Sequence, residues 1–224
     1  MKELTIDGLP VRIEYKSVKN LTLRVRGGVV LLTVPRFMSE KRAVAFLREK
    51  RSWIDRRLAA PVPDQPRFLP GETVSLLGTP YRVTTDAAKK RGRAYLDGDR
   101  LVLLVPPGTD GDGRKALVDA LARKLLTERI ARIAPECEAV VKKHASLYRV
   151  RDMVSRWGTC NTGTGAITVN LRLAYREERF LRYILFHELT HLHEPNHGER
   201  FYRLMDCFCP DWKNTRRELK KGGI

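Results

Sequence analysis

The C-terminal part of the chain holds side chains whose types and spacing match the needs of a catalytic metal ion. His187 and His191 are four residues apart, Glu188 follows the first histidine, and His197 lies six residues beyond the second. Residues four apart on a helix share one face, with Cβ atoms about 5–6 Å apart, so both imidazoles can reach one ion. A catalytic zinc takes three protein ligands and keeps a fourth position open. These residues therefore predict a Zn²⁺ site.

Each residue of this segment has a physical reason for its position. Pro195 disfavours helical geometry in the residue before it, so the helix is expected to end there and His197 can fold back as the third ligand. Glu188 lies about 100° around the helix from His187. It is therefore expected to act as a general base on a zinc-activated water and not as a ligand.

Two neighbouring residues have competing interpretations. Glu194 is seven residues past His187, returns to the same helix face, and is an alternative third ligand. His193 is two residues from His191 and is expected to face solvent. His197 is the favoured ligand, because its position is otherwise unexplained.

A strand–turn–strand segment is predicted just before the metal-binding helix. It comprises Asp152–Trp157, the turn at residues 162–165, and Ala166–Leu171. An edge strand of this kind can pair with an extended substrate through its backbone. Arg156 and Trp157 are therefore candidate substrate-binding residues, and the alternative is that both belong to the packing and hydrogen-bonding scaffold.

The composition predicts a globular protein without a membrane span. Of the 224 residues, 42% are hydrophobic and 31% are charged, and no apolar run reaches the roughly 18–20 residues of a transmembrane helix. The N-terminus lacks the apolar run of a signal peptide, so a cytoplasmic location is expected. Four cysteines without disulfide or zinc-knuckle spacing are expected to be reduced and non-ligating.

The net charge is strongly positive and bears on partners. There are 43 Lys and Arg residues against 26 Asp and Glu residues, which gives a formal charge of +17. Such a field attracts nucleic acid, nucleotides and acidic surfaces. Aromatic residues are not interleaved at a regular spacing for base stacking, so charge alone supports a nucleic-acid or nucleotide partner. Nothing in the sequence indicates the oligomeric state.

The order of predicted elements indicates an α+β fold. Residues 1–108 are predicted to form a β-rich region with one helix, which starts at the N-cap Ser39 and continues to about Ala59. Residues 109–224 are predicted to form a zincin-like catalytic domain of helices and strands, in which Pro135 ends or kinks a long helix. Residues 61–66 are predicted to be an extended connector. No internal repeat is expected. The predicted strands of the first region are Leu4–Ile6, Val11–Tyr15, Leu21–Arg26, Val29–Val34, Thr73–Leu77, Tyr81–Thr85, Arg93–Leu96 and Leu101–Val105.

With these motifs the chain resembles the YgjP-like zinc metallopeptidases, which are related to the SprT-like and WLM metalloproteases. The resemblance covers most of the chain, and its C-terminal part is the more specific. It implies that His187, His191 and His197 bind zinc and that Glu188 is catalytic. Thr159 stands where serine is more usual in that family. The residues that carry the resemblance are Arg156-Trp-Gly-Thr-Cys160, Ile167-Thr-Val-Asn-Leu-Arg-Leu173, His187-Glu-Leu-Thr-His191, Asn196-His197, Phe201, Lys19-Asn-Leu-Thr-Leu-Arg-Val25, Phe46-Leu-Arg-Glu-Lys-Arg-Ser-Trp53, Leu77-Gly78 and Tyr81.

Three functions are consistent with the sequence. The favoured one is a zinc metallopeptidase acting on a protein or peptide, and the resemblance to SprT-like proteins suggests proteins near nucleic acid by analogy. The second is a zinc-dependent nucleotide phosphohydrolase of the nucleoside triphosphate pyrophosphatase type, since an activated water can also attack phosphorus. The third is a non-enzymatic nucleic-acid-binding module with structural zinc, but structural zinc usually has four protein ligands.

Overall fold

The chain divides into two compact units, Met1–Gln65 and Pro66–Ile224. The computed structural model describes residues 2–26, 28–59, 67–88 and 90–221. The connector predicted over residues 61–66 lies outside the described residues. The boundary predicted between residues 108 and 109 falls inside the second unit, where strands before it and helices after it share one core.

The first unit is a four-stranded sheet followed by two helices. The sheet has the order β1-β2-β4-β3, with β2 and β4 parallel and both outer pairs antiparallel. Ser39 caps the first helix by accepting a hydrogen bond from the backbone N–H of Arg42. The single helix predicted from Ser39 to Ala59 is in fact two, because Lys50 leaves helical geometry with φ −90° and ψ 7°. The elements are β1 (Lys2–Ile6), β2 (Leu9–Lys16), β3 (Thr22–Arg26), β4 (Val29–Pro35), α1 (Glu40–Glu49) and α2 (Arg51–Ala59).

The second unit begins with a sheet of the same topology. Its strands are β5 (Thr73–Leu76), β6 (Thr79–Ala87), β7 (Arg93–Asp97) and β8 (Arg100–Val105), in the order β5-β6-β8-β7. The first hairpin of each sheet turns through two residues with positive φ, Asp7–Gly8 and Leu77–Gly78, as a type I′ turn requires. The two sheets therefore share one topology, although the sequence predicts no internal repeat. Gly8, Pro10 and Arg12 of the first sheet recur seventy residues later as Gly78, Pro80 and Arg82.

The rest of the second unit consists of helices and a small three-stranded sheet with the order β10-β11-β9. The strand predicted at Asp152–Trp157 is wrong: those residues form an irregular connection between β9 and β10. The elements are α3 (Gly111–Val141), β9 (Leu147–Arg151), β10 (Gly158–Asn161), β11 (Ala166–Asn170), a 3-10 helix (Leu171–Tyr175), α4 (Glu178–Thr190), α5 (Glu199–Phe208) and α6 (Trp212–Lys221).

The long helix α3 starts at a capped end and does not stop at its proline. The Asp110 side chain accepts a hydrogen bond from the backbone N–H of Gly113 at 2.8 Å, which satisfies one of the free donors of the first turn. Pro135 removes one intrahelical hydrogen bond. Ile133 and Cys137, on either side of it, are almost fully buried. Packing of this face therefore holds the helix together where the local sequence predicts an end or a kink.

The first sheet of the second unit also contacts the segment that leads into α4. The backbone N–H of Leu77 donates to the carbonyl of Ala174 at 2.7 Å, just before α4. A Cβ added to Gly78 would lie 3.4 Å from Cα of Glu177, so the turn and the start of the helix are in close contact. Helix α4 also packs against α3, α5, α6 and β10. Among the described helices, none has the length and apolar character needed to cross a bilayer.

Candidate metal centre and active site

Helix α4 carries the predicted motif with most of its side chains buried. Phe180 and Ile184, which precede His187 on the same face, are 7% and 5% exposed. The hydroxyl of Thr190 donates to the carbonyl of Phe186 at 2.7 Å. Helical hydrogen bonding ends at Thr190, so His191 is the C-cap residue and the helix is shorter than the sequence predicts.

The structure brings the three predicted histidines together. His187, His191 and His197 each present a ring nitrogen, and these nitrogens all lie within 4.8 Å of one another. Nε2 of His187 and Nε2 of His197 are 3.0 Å apart. Two ligands of one tetrahedral zinc, each about 2.0–2.1 Å from the ion, lie roughly 3.4 Å apart. The spacing and the neutral nitrogen donors therefore fit a divalent metal.

A hydrogen bond at the edge of this His triad fixes one ring. Nδ1 of His191 lies 3.2 Å from the carbonyl oxygen of Glu194, which only accepts, so Nδ1 carries the proton and donates it. The other nitrogen, Nε2, is then free to bind a metal, the usual arrangement for a ligating histidine. Glu194 contributes its backbone and is not part of the ligand cluster.

Phe201 of α5 supports all three imidazoles. Its side chain is fully buried, and its ring centroid lies 5.0 Å from that of His187 and 4.7 Å from those of His191 and His197. Burial lowers the pKa of His187 to about 3, and the two neighbouring histidines lower it further. Burial also lowers the pKa of His191 and His197. The triad is therefore held neutral, as metal binding requires.

Glu188 is buried beside the triad but does not belong to the ligand cluster. It is 4% exposed, and burial raises the pKa of its carboxyl group to about 8, against the positive charge of Arg156, which lowers it. The backbone of Gly158 on β10 passes very close to this carboxyl group. A Cβ at position 158 would lie 2.5 Å from Oε1 of Glu188 and 2.8 Å from Cγ2 of Ile184. Only glycine leaves room for the carboxylate in this position.

The triad and Glu188 open into one cavity with a volume of about 690 Å³. Arg156 and Trp157, the candidate substrate-binding residues, line it, and their backbone carbonyls are also hydrogen-bonded to the scaffold. The buried side chain of Asn170 donates to the carbonyl of Arg156 at 2.7 Å. The backbone N–H of Asn170 donates to the carbonyl of Trp157 at 2.9 Å. The cavity is lined by Ser155, Arg156, Trp157, Gly158, Thr159, Cys160, Thr162, Tyr183, Ile184, His187, Glu188, His191, Pro195, His197, Arg216, Leu219 and Lys220.

Some residues at the site differ from the sequence-based expectations. His193 was expected to face solvent, but it is half-buried and donates from Nε2 to the carbonyl of Val141 at 2.8 Å. Arg216 and Lys220 of α6 line the cavity, and neither is among the site residues predicted from the sequence. Their spacing of four residues indicates a shared helix face, but nothing local indicates that this face lies over α4.

Comparisons with known proteins found one family model and solved structures of low similarity. A family model described as the YgjP-like metallopeptidase domain matches residues 19–222. The zymogen of the metallopeptidase abylysin from Pyrococcus abyssi is similar at 20% identity and a TM-score of 0.39, over 42% of this chain and 94% of that chain. The jannalysin zymogen from Methanocaldococcus jannaschii is similar at 20% identity and a TM-score of 0.38, over 42% and 97%. No curated protein matches the sequence.

Proposed function

The chain belongs to the YgjP-like metallopeptidase family, and from that premise we propose that it hydrolyses peptide bonds with zinc as its metal and Glu188 as its general base. The observation that carries the proposal is the convergence of three histidine nitrogens within 4.8 Å, beside a buried carboxylate in one cavity. Because the chain belongs to a metallopeptidase family, we set aside the alternative of a non-enzymatic nucleic-acid-binding module.

His187, His191 and His197 are the proposed zinc ligands. Three neutral imidazoles suit zinc among the divalent metals, and a site with three protein ligands leaves one position for water or substrate. When bound, zinc supplies a Lewis acid that polarises the substrate carbonyl and lowers the pKa of water toward about 7. The buried Phe201 ring beneath the triad keeps the three imidazoles oriented toward one point.

Glu188 is proposed to move the proton. Its carboxylate accepts a proton from the attacking water and then donates it to the nitrogen of the leaving amine. Burial raises the pKa of Glu188 to about 8 in the protein without metal, and a divalent cation nearby favours the ionised form. The two effects act on the pKa of Glu188 in opposite directions, and a general acid–base residue works best when its pKa is near the working pH.

Strand β10 supports a peptide as the substrate. Within the described part of the chain, β10 pairs only with β11, so its other edge is open beside Glu188. An extended peptide can add to such an edge by backbone hydrogen bonds. Trp157, Tyr183 and Leu219 provide apolar cavity walls for its side chains.

Metal analysis tests the ligands. We expect that His187→Ala loses most of its zinc in elemental analysis of the purified protein, while His144→Ala keeps it. His144 is an exposed histidine that pairs with Glu138, outside the ligand cluster, and serves as the matched control. Equal zinc content in the two variants would contradict the assignment.

Measurement of turnover tests the proposed role of Glu188 as general base. We expect that Glu188→Gln keeps zinc and loses peptidase activity on casein-type substrates by about 10²- to 10⁴-fold, the usual contribution of a general base. Glu199→Gln, at an exposed position that pairs with Arg203, is the control. Full activity of zinc-loaded Glu188→Gln protein would reject the role of Glu188.

A second candidate function is nucleotide hydrolysis, which the cationic residues of the cavity favour. Arg156, Arg216 and Lys220 could attract phosphate groups as well as carboxylates. A nucleoside triphosphate panel run in parallel with the peptide substrates separates the two. Hydrolysis of nucleotides without cleavage of any peptide would replace the proposed function by this one.

A further inference from the structure

The cavity of the metal centre has an unbalanced charge. Three cationic side chains line it, Arg156 before β10 and Arg216 and Lys220 on α6. Among the described residues that line the cavity, Glu188 is the only acidic one, and it lies buried. We name these three side chains the cationic rim.

The rim residues have no acidic side chain at ion-pair distance among the described residues. In the part of the chain that the structure describes, none of the three forms an ion pair. By contrast, Lys213 on the same helix pairs with Asp206 at 3.0 Å. Positive charges that form no ion pair beside an active site are available to a negatively charged ligand.

Helix α6 holds its two rim residues toward the cavity. Trp212, Thr215 and Leu219 form its buried face. The Trp212 ring stacks on Tyr202 at a centroid distance of 5.3 Å, and its indole N–H donates to Asp206. Arg216 is half-buried, with its guanidinium 5.8 Å from the centre of the Trp212 ring. The helix is therefore anchored, and little side-chain freedom is lost at Arg216 when a ligand binds.

Arg156, the third residue of the cationic rim, is positioned by the loop before β10. The buried amide of Asn170 donates to the carbonyls of both Met153 and Arg156 and thereby fixes the loop before β10. Arg156 and the α6 residues line the same cavity, which also contains the open edge of β10. A peptide paired with that edge would have to run past the cationic rim.

We propose that the cationic rim selects acidic peptides, by binding the carboxylate side chains of residues that flank the scissile bond. This inference rests on the proposed function, that the cavity accepts a peptide. The apolar walls at Trp157 and Leu219 and the strand edge favour a peptide over a compact anion. A peptide carboxylate that accepts charge-assisted hydrogen bonds should bind about 10- to 100-fold more tightly than a neutral amide in the same position.

Binding to the uncleaving variant Glu188→Gln tests the proposal without relying on turnover. Fluorescein-labelled peptides of one sequence would carry Asp and Glu, or Asn and Gln, at the flanking positions, and fluorescence anisotropy would give their dissociation constants. At low salt, we expect the peptide with Asp and Glu to bind about 10- to 100-fold more tightly than the peptide with Asn and Gln. This difference in affinity should be smaller at high salt. Equal affinities would overturn the proposal.

Matched charge variants locate the effect. Arg216→Gln in the Glu188→Gln background should lose most of the acidic preference, and Arg216→Lys should restore part of it. Arg217→Gln removes one charge from an exposed neighbour that does not line the cavity, and should keep the preference. An equal loss in Arg216→Gln and Arg217→Gln would overturn the proposal in favour of a general charge effect. Circular dichroism melting of each variant checks that it is folded.

Two outcomes separate this inference from the proposed function. If the zinc-loaded wild-type protein cleaves acidic and neutral peptides with the same kcat/KM and binds them equally, the peptidase assignment stands and the selectivity is refuted. If a nucleoside triphosphate binds the Glu188→Gln protein and neither peptide does, both the selectivity and the peptide assignment are refuted.

Discussion

A single added methyl group at Gly158 should disable the site while leaving the metal in place. A Cβ at this position would lie 2.5 Å from Oε1 of Glu188, 2.8 Å from its Cγ and 2.8 Å from Cγ2 of Ile184. Ordinary contacts begin near 3.4 Å, so the carboxylate must move by about 0.9 Å. Ile184 is buried and blocks relaxation on the other side.

The size of the effect follows from this displacement. A misplacement of about 1 Å in a catalytic group can reduce the rate by about 10²-fold. We therefore expect Gly158→Ala to lower kcat on a peptide substrate by roughly 10²-fold. KM should change little, because the carboxylate acts on the proton in the transition state and contributes little to ground-state binding.

The assay needs a control on the same sheet. Gly163 lies in the turn between β10 and β11, and a Cβ there would meet nothing closer than Oδ1 of Asn161, at 3.4 Å. Gly163→Ala should therefore keep nearly wild-type kcat. Both variants should contain the same amount of zinc as the wild type. A zinc-loaded Gly158→Ala protein with more than half of the wild-type kcat would refute the reasoning about Glu188.

Three further predictions concern the pH response, a thiol and the support of the triad. Because burial lowers the pKa of His187 to about 3 and also lowers the pKa of the other two ligands, protons should compete weakly for the three imidazoles. In the Glu188→Gln variant, where the carboxyl group at position 188 no longer titrates, zinc affinity measured with a competing chelator should stay nearly constant from pH 8 to 6.5. A steady tenfold loss per pH unit in that variant would contradict this. Burial raises the pKa of the Cys137 thiol to about 12. Iodoacetamide at pH 8 should therefore modify the exposed Cys207 and leave Cys137 unmodified until denaturant is added. Peptide mass spectrometry would measure both modifications. Phe201→Ala should lower the free energy of unfolding by about 3–5 kcal/mol and weaken zinc binding; a denaturation curve equal to wild type would count against the packing role of Phe201.

The parts of the site that depend on local spacing could be predicted from the sequence. His187 and His191 converge because residues four apart share a helix face. The helix ends at Thr190, a few residues before the end that Pro195 predicts, and His197 returns to the site as expected. The strand pattern and the type I′ turn at Asp7–Gly8 also depend on residues that are close in the sequence. For these elements, the backbone geometry of a few residues decides the outcome.

Other parts depend on contacts between distant residues and could not be predicted. The loop that carries Arg156 is not a strand, because Asn170, fourteen residues later, fixes its backbone by hydrogen bonds. Helix α3 continues past Pro135 because its buried face packs in the core. The position of Arg216 over the cavity depends on how α6 packs against α4, which no local pattern in either helix specifies.

The topological repeat and the shared core of the second unit have a consequence for the smallest fragment that could retain the metal centre. Strands β5 to β8 contribute Val74, Val83 and Leu101 to the same apolar core as helix α4, whereas the first sheet packs with its own helices. A fragment that begins at residue 109 would expose that core and lose the hydrogen bond from Leu77 to Ala174 in the 3-10 helix before α4. The shortest fragment that keeps this core together with the metal centre should therefore begin near residue 67.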